Sequence, residues 1–472
     1  MSTADSGLRP TGPMENWSVS RHLEDFYYGV ASFVKLSSPS LQLSRESIYG
    51  RIVEAVETTF WSNFNLRTTI DFPAAKMCYL SPGSAKVDFT WYERSEDTSV
   101  ELALESEVNK KFPENDDQPL WRVWAVAADA DGEFNTFELG ITVHHAVADG
   151  LSSINIIHIL TRAFLAAKKK PLPISQEPIA IPYDPLTDNM MSELSKAVHT
   201  ILPNCKPPIS VLLQKVVTRY LLPSFLRPKE VYWSGTKTLD LDTIQRISAK
   251  PRQYPTKLLT MTVPLDSLVQ KCKQHNTTVY AALATALILA TNVLKPQHPM
   301  KFATPINLRP YCEPVLPPEC IGVYISEIST THPPPQASDI ENFWPLTVQF
   351  KENITASLES AMYTIGLMGY VSNFREFFHS ERVALADNNG RKGSLEISNL
   401  GRQDWKDLPE STFQVDELGF TQSSGILSPV FTVSAITWKG NCKLILSYLL
   451  DVNEEEDVKK YWAEFQTILV SL

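Results

Sequence analysis

The sequence predicts a mixed α/β (α+β) protein built as two halves, and three observations carry that expectation. Near residue 144 an alternating strand pattern gives way to a helical one. A proline-rich stretch interrupts the chain over 168–234, and beyond it helices and strands resume, closing on a strand pair and a final helix. The halves are expected at 1–170 and 236–472, with 171–235 as the crossover between them.

In the first half, Ser18 to Val34 reads as a helix and Glu46 to Phe60 as a second. Trp121–Ala128 and a strand running into His144 form a hairpin across Asp129-Ala130-Asp131-Gly132, whose Asp-Gly pair tolerates the positive φ angles of a tight reversal. In the second of these strands Phe137, Leu139, Ile141 and Val143 alternate with Glu138, Gly140, Thr142 and His144, the pattern of a half-buried strand. From Leu151 onward Ile154, Ile157, Leu160 and Phe164 recur at helical spacing.

The crossover carries Pro171, Pro173, Pro178, Pro182, Pro185, Pro203, Pro207 and Pro208. Between Lys196 and Lys229 it holds six basic residues (Lys196, Lys206, Lys215, Arg219, Arg227, Lys229) and no acid. On a helix over 209–222, Ser210, Gln214, Lys215, Thr218 and Arg219 form one polar stripe, with apolar residues over the remainder. That pattern fits a segment lying on a lipid surface. It also fits a crossover helix packed on the protein's own core, the commoner arrangement.

The second half opens with a basic cluster, Arg246, Lys250, Arg252 and Lys257, suited to a co-substrate's phosphates or simply to a solvated face. Thr277 to Leu294 reads as a small-residue helix capped by Asn276 or Thr277. Phe431–Trp438 and Cys442–Leu449 form the closing strand pair around Lys439-Gly440-Asn441. The last helix carries Val458, Tyr461, Trp462, Phe465 and Leu469 on one face.

Composition excludes several classes of function. At 472 residues, 43% hydrophobic and 20% charged, the chain reads as globular. Its net charge of −10 argues against bulk nucleic-acid binding. The six cysteines (78, 205, 272, 312, 320, 442) include no CxxC pair and no metal-ligand spacing, which leads us to expect a reducing interior. In that setting the sequons at Asn16, Asn276 and Asn353 are chance matches. Met1 to Met14 has no apolar leader-like core, and no apolar run reaches the ~18 residues of a membrane span.

The chemistry concentrates in His144-His145-Ala146-Val147-Ala148-Asp149-Gly150, at the expected strand-to-helix junction. An imidazole held there by a strand and facing a crevice has what a general base needs, a fixed position and a pKa near operating pH. Asp149 has an ordinary alternative as N-cap of the following helix. A metal site built from His144, His145 and Asp149 is disfavoured, because neighbouring strand residues point to opposite faces and no fourth ligand is evident.

This heptad resembles the HHxxxDG signature of the CoA-dependent acyltransferase superfamily, which includes chloramphenicol acetyltransferase, plant BAHD acyltransferases, carnitine acyltransferases and peptide-synthetase condensation domains. Gln118-Pro119-Leu120-Trp121-Arg122-Val123 is similar to the start of the superfamily's preceding strand, and Ala303–Pro310 to its arginine-bearing strand. Glu396-Ile397-Ser398-Asn399-Leu400-Gly401 resembles the SNLG segment of fungal alcohol acetyltransferases. The plant DFGWG motif is absent, which favours the fungal branch, and the resemblance runs from Glu15 to the C-terminus.

The resemblance implies two chloramphenicol-acetyltransferase-like domains, each a sheet with flanking helices, around a tunnel. It implies His145 as general base and acetyl-CoA as co-substrate, with no permanently bound cofactor, no metal and no covalent acyl-enzyme. Asp149 would pair with Arg309 to hold the loop, with His144 and Gly150 supporting it. Ser398 and Asn399 are candidates for binding the oxyanion or the acceptor, or for a turn ending their strand. The expected reaction is O-acetylation of an alcohol, sterol or secondary metabolite. N-acetylation of a hydrophobic, sphingoid-like amine is the alternative, and a non-catalytic lipid-surface or binding role is a second. A monomer is expected, cytoplasmic or peripheral on endoplasmic reticulum or lipid droplets through 209–222.

Overall fold

The computed structural model describes the chain except residues 1–6, 81–84, 95–98, 115–117, 129–133, 183–193, 204 and 219–229. The expected Asp129–Gly132 turn and the 219–222 end of the basic segment therefore lie outside the described residues, as does the Lys215 side chain.

Two large sheets organise the chain. The first has five strands in the order Gln414–Gln422, Val30–Ser37, Thr136–Val143, Trp121–Ala128 and Phe89–Arg94, antiparallel except for the last pair. The second has six, in the order Lys257–Pro264, Asn441–Tyr448, Phe431–Trp438, Leu395–Gln403, Met300–Asn307 and Ile325–His332. Within it Leu395–Gln403 runs parallel to both neighbours. Helices Arg45–Ser62 and Gly150–Ala166 close the first core, while Val279–Ala290, Phe343–Met368 and Glu455–Ser471 close the second.

The helix expected over 18–34 is two elements. Pro13–Leu23 is helical, Asp25 takes a left-handed φ of 58°, and Val30–Ser37 is a central strand paired on both edges. The apolar run Val30–Val34 fits a strand buried on both faces, which periodicity alone does not distinguish from a buried helix. The strand Thr136–Val143 is likewise buried on both faces rather than one. Its polar face lies beneath helix Val100–Asn109 and the second sheet, whose Leu258 and Ile445 share a core cluster with Phe33, Trp124 and Leu104. Gly140 sits so close to the Trp124 ring that a Cβ would come within 2.2 Å of it, so glycine is required there.

Sheet membership does not follow chain order. Strand Gln414–Gln422, which falls inside the stretch 236–472, joins the first sheet by pairing with Val30–Ser37. The stretch 236–472 is therefore not a self-contained half: one of its strands crosses over and is hydrogen-bonded into the first sheet. The small-residue helix is capped by Thr278, one residue beyond the expected cap, whose hydroxyl accepts from the Ala281 N–H at 3.1 Å. Lys439 and Gly440 both adopt positive φ in the tight turn before Asn441–Tyr448. Beyond that strand the sheet gains Lys257–Pro264 as its edge. The last helix buries Val458, Tyr461, Trp462, Phe465 and Ile468, with Leu469 only partly covered. In the crossover, helix Ile209–Val216 leaves Ile209 76% and Leu213 58% exposed, so these two side chains do not pack on the core.

Candidate active site

The strand Thr136–Val143 delivers His144 and His145 to the seam, and helix Gly150–Ala166 begins five residues later. The two histidines diverge. His144 is pinned by its N–H to the Leu120 carbonyl (2.9 Å), and its Nδ1 accepts from the Ala146 N–H at 3.0 Å. Its ring packs in a nest of His22, Phe72 and Phe112. Burial, reinforced by the neighbouring His22 and His145, keeps the His144 imidazole well below the usual histidine range.

His145 turns to the other side, with its ring edge-on to Tyr27 at 5.6 Å between centroids. Its Nδ1 is buried without a partner in hydrogen-bonding geometry among the described residues. Burial lowers the His145 pKa to about 4, and the Arg21 guanidinium adds to the fall. Its own backbone carbonyl and the Asp149 carboxylate oppose this only in part. The ring is therefore neutral at pH 7, with a lone pair to offer.

Asp149 does two jobs at once. As N-cap, its Oδ1 accepts from the Ser152 N–H at 2.8 Å. Both its oxygens also meet Arg309 in a fork, Nη1 to Oδ2 at 2.9 Å and Nη2 to Oδ1 at 3.0 Å. The pair is 0% and 1% exposed. Further hydrogen bonds satisfy the remaining valences: the Tyr324 N–H donates to Oδ2, and Arg309 donates to the Cys320 carbonyl and to Ser152 Oγ. Burial alone would raise the Asp149 carboxyl, but Arg309 and these N–H donors outweigh it and hold the carboxyl low. Arg309 lies just past strand Met300–Asn307, so this fork ties the histidine loop to the second sheet.

Gly150 packs close to the SNLG segment: a Cβ there would stand 3.3 Å from a Leu400 methyl, a tight contact that Leu400 would have to yield to. Asn399 is committed to the turn role: its Oδ1 accepts from the N–H of Gly401, whose φ is 70°, at a bulge in the strand. The Ser398 hydroxyl has no hydrogen-bond partner among the described residues. The basic cluster divides. Arg252 donates to the Tyr28 hydroxyl (2.6 Å), pairs with Asp25 (3.3 Å) and lines a cavity of about 150 Å³ that also reaches Tyr27, Ser423 and Ser424. Lys257 pairs with Glu105, and Arg246 donates to Thr243. Neither of these nor Lys250 lines that cavity. Among the described residues no three His, Cys, Asp or Glu side chains converge as a metal site, and the six cysteines are free.

Four residues linked to His145 through Tyr27 or Arg21 are given no role by the sequence: Arg21, Tyr27, Glu396 and Gln422. The Tyr27 hydroxyl donates to Gln422 Oε1 (3.1 Å), and Gln422 Nε2 donates to Glu396 Oε1 (2.9 Å). The Arg21 guanidinium lies 4.1 Å over the Tyr27 ring. Glu396 was in view within the SNLG-like segment, as a carboxylate alternating with Leu395 and Ile397, whose side chains face the second core. Arg21 gave no signal, because one charge on a helix ordinarily faces solvent.

The buried histidines give the fold a defined acid sensitivity. Burial takes His22 down to about 3 and His145 to about 4, and His144 also falls. Each stays neutral in the folded state while its unfolded counterpart takes up a proton below about pH 6.5, so stability is lost as pH falls from there toward 4. Chemical denaturation at stepped pH should show a loss of about 1.4 kcal/mol per pH unit for each histidine that stays neutral. His22→Phe should flatten the curve. An unchanged slope would remove His22 from this account.

The family described as alcohol acetyltransferase matches residues 91–470. N-acetyltransferase SLI1 of Saccharomyces cerevisiae is 22% identical over 371 residues, covering 71% of this chain and 74% of its own length. Among solved structures, trichothecene 15-O-acetyltransferase TRI3 of Fusarium sporotrichioides superposes with a TM-score of 0.69 at 12% identity, covering 98% of this chain and 94% of its own. The epimerization domain of tyrocidine synthetase B gives 0.58 at 14% identity, over 99% and 98%. These likenesses show the two-domain chloramphenicol-acetyltransferase-like fold.

Proposed function

We propose, because this chain belongs to the alcohol acetyltransferase family and is an enzyme of the CoA-dependent acyltransferase type, that it moves an acetyl group from acetyl-CoA to a hydroxyl with His145 as general base. The observation that carries this reading is a neutral, enclosed imidazole on a loop braced across the seam by the Asp149–Arg309 fork. A thioester is already activated, whereas an alcohol is a poor nucleophile while it keeps its proton. His145 removes that proton as the oxygen attacks the thioester carbonyl, and then returns it to the departing CoA sulfur. With a pKa near 4 the ring does not ionise an alcohol outright, so proton transfer accompanies attack. The unpartnered Ser398 hydroxyl is the candidate donor to the tetrahedral oxyanion, a role typically worth about 2.7–4 kcal/mol. The cavity beside Tyr27, with Arg252 in its wall, suits the approach of acetyl-CoA.

A second reading, N-acetylation of a hydrophobic amine, is favoured by the relative named an N-acetyltransferase and by the Glu396 carboxyl, which Gln422 links to Tyr27 at the His145 ring. The same base serves both nucleophiles. A thiol-release assay with acetyl-CoA against alcohols, sterols and long-chain amines tests the choice. Release with hydroxyl acceptors is expected; release confined to amines would overturn the leading reading in favour of the second. No release with any acceptor would favour the non-catalytic role.

A further inference from the structure

Two half-buried groups of opposite charge flank Tyr27, the aromatic neighbour of His145, and have no counter-ion among the described residues. Among the described residues Arg21 makes one side-chain hydrogen bond, from Nη2 to Ser18 Oγ at 3.2 Å, and its Nε is buried without a partner. No carboxylate stands within ion-pair distance of it among the described residues. Glu396 accepts from Gln422 alone, and no cation stands within ion-pair distance of it among the described residues either. Both side chains are half-buried. Glu396 shares its strand face with Ser398, and hydrogen bonds through Gln422 link it to Tyr27, the residue whose ring stands edge-on to His145.

Leaving two half-buried groups of opposite charge without counter-ions has a cost, since each has given up part of its hydration. The other charged groups facing them, Glu327 and Lys392, lie 3.5 Å apart and pair with each other. A ligand that carries a charge of each sign neutralises both orphans at once. We propose that Arg21 and Glu396 together form a subsite beside His145 for an acceptor whose headgroup bears both a carboxylate and an ammonium, as in an α-amino acid. Arg21 takes the carboxylate through its planar fork, and Glu396 takes the ammonium. The inference names the acceptor class of the acetyl-transfer site, and so rests on that reading. Burial and the neighbouring Glu327 raise the Glu396 carboxyl to about 7, with Gln422, Lys392 and Arg21 opposing. Grip on the ammonium therefore strengthens as pH rises through that value.

Calorimetric binding to the full chain tests this with four soluble probes of equal chain length: α-aminooctanoic acid, octylamine, octanoic acid and octanol. Wild type is expected to bind the amino acid about tenfold more tightly than either singly charged probe. E396Q should erase the advantage conferred by the amino group, and R21Q the advantage conferred by the carboxylate, each sparing the other. Equal binding of octanol and the amino acid by wild type would overturn the proposal. So would uniform weakening of all four probes by E396Q in protein whose thermal melt is unchanged. Thiol release with the same probes keeps the two ideas apart. Turnover of octanol without preferential binding of the amino acid sinks the subsite alone, and absence of turnover with every acceptor sinks acetyl transfer while the binding matrix still decides the subsite.

Discussion

His145→Ala is expected to lower acetyl transfer about 10²–10⁴-fold with the protein still folded. The ring contributes little to the core: it sits at the seam, and among the described residues its Nδ1 makes no hydrogen bond and its one close aromatic contact is Tyr27. His144→Ala makes the opposite trade. It removes a ring packed on His22, Phe72 and Phe112, and so costs stability, but it leaves the base in place and activity measurable. Single-turnover thiol release, together with a thermal melt of each variant, separates chemistry from folding. The pH profile adds an independent sign. Because burial lowers the His145 pKa, kcat/KM should hold as pH falls through 6.5 and decline only nearer 4. Comparable residual activity in the two variants would remove His145 from its role.

What was legible in the chain divides along physical lines. The strand Thr136–Val143 and helix Gly150–Ala166 could be read locally, because a change from two-residue to helical periodicity is written into adjacent side chains. Asp149 could be read as a cap from its neighbours, while its contact with Arg309 spans 160 residues and came only through the family resemblance. The run Val30–Val34 was misread because a strand buried on both faces lacks alternation. Nothing local announces that Gln414–Gln422 pairs with Val30–Ser37, since register between distant strands is a property of the folded sheet. Arg21 and Glu396 stayed hidden for the same reason. Each reads as a surface charge on its own element, and only the closing of one sheet against the other encloses it.

Asp149→Ala is expected to destabilise the fold by about 3–5 kcal/mol, because it strands the Arg309 guanidinium in a site with 1% exposure. It also removes the N-cap of Gly150–Ala166, worth about 1 kcal/mol. Asp149→Asn separates the two contributions. An amide oxygen still accepts from the Ser152 N–H, so the cap survives while the countercharge is lost, and the asparagine variant should be the more stable of the two by about that 1 kcal/mol. Arg309→Leu alone leaves a buried carboxylate, whereas combining it with Asp149→Asn leaves no lone charge. The double variant should therefore be less damaged than the sum of its parts, with coupling of about 0.5–3 kcal/mol. Rescue will be incomplete, since Arg309 also holds the Cys320 carbonyl and the Ser152 hydroxyl. Denaturant titrations of the four proteins close this cycle. Below their melting temperatures, kcat should fall in Asp149→Asn by more than the unfolded fraction explains, because the fork is what fixes the His145 loop against the strand that carries Arg309. An Asp149→Asn protein as stable and as active as wild type would show that the loop is held by its backbone contacts alone, such as the Asp149 N–H to the Gly322 carbonyl at 3.0 Å.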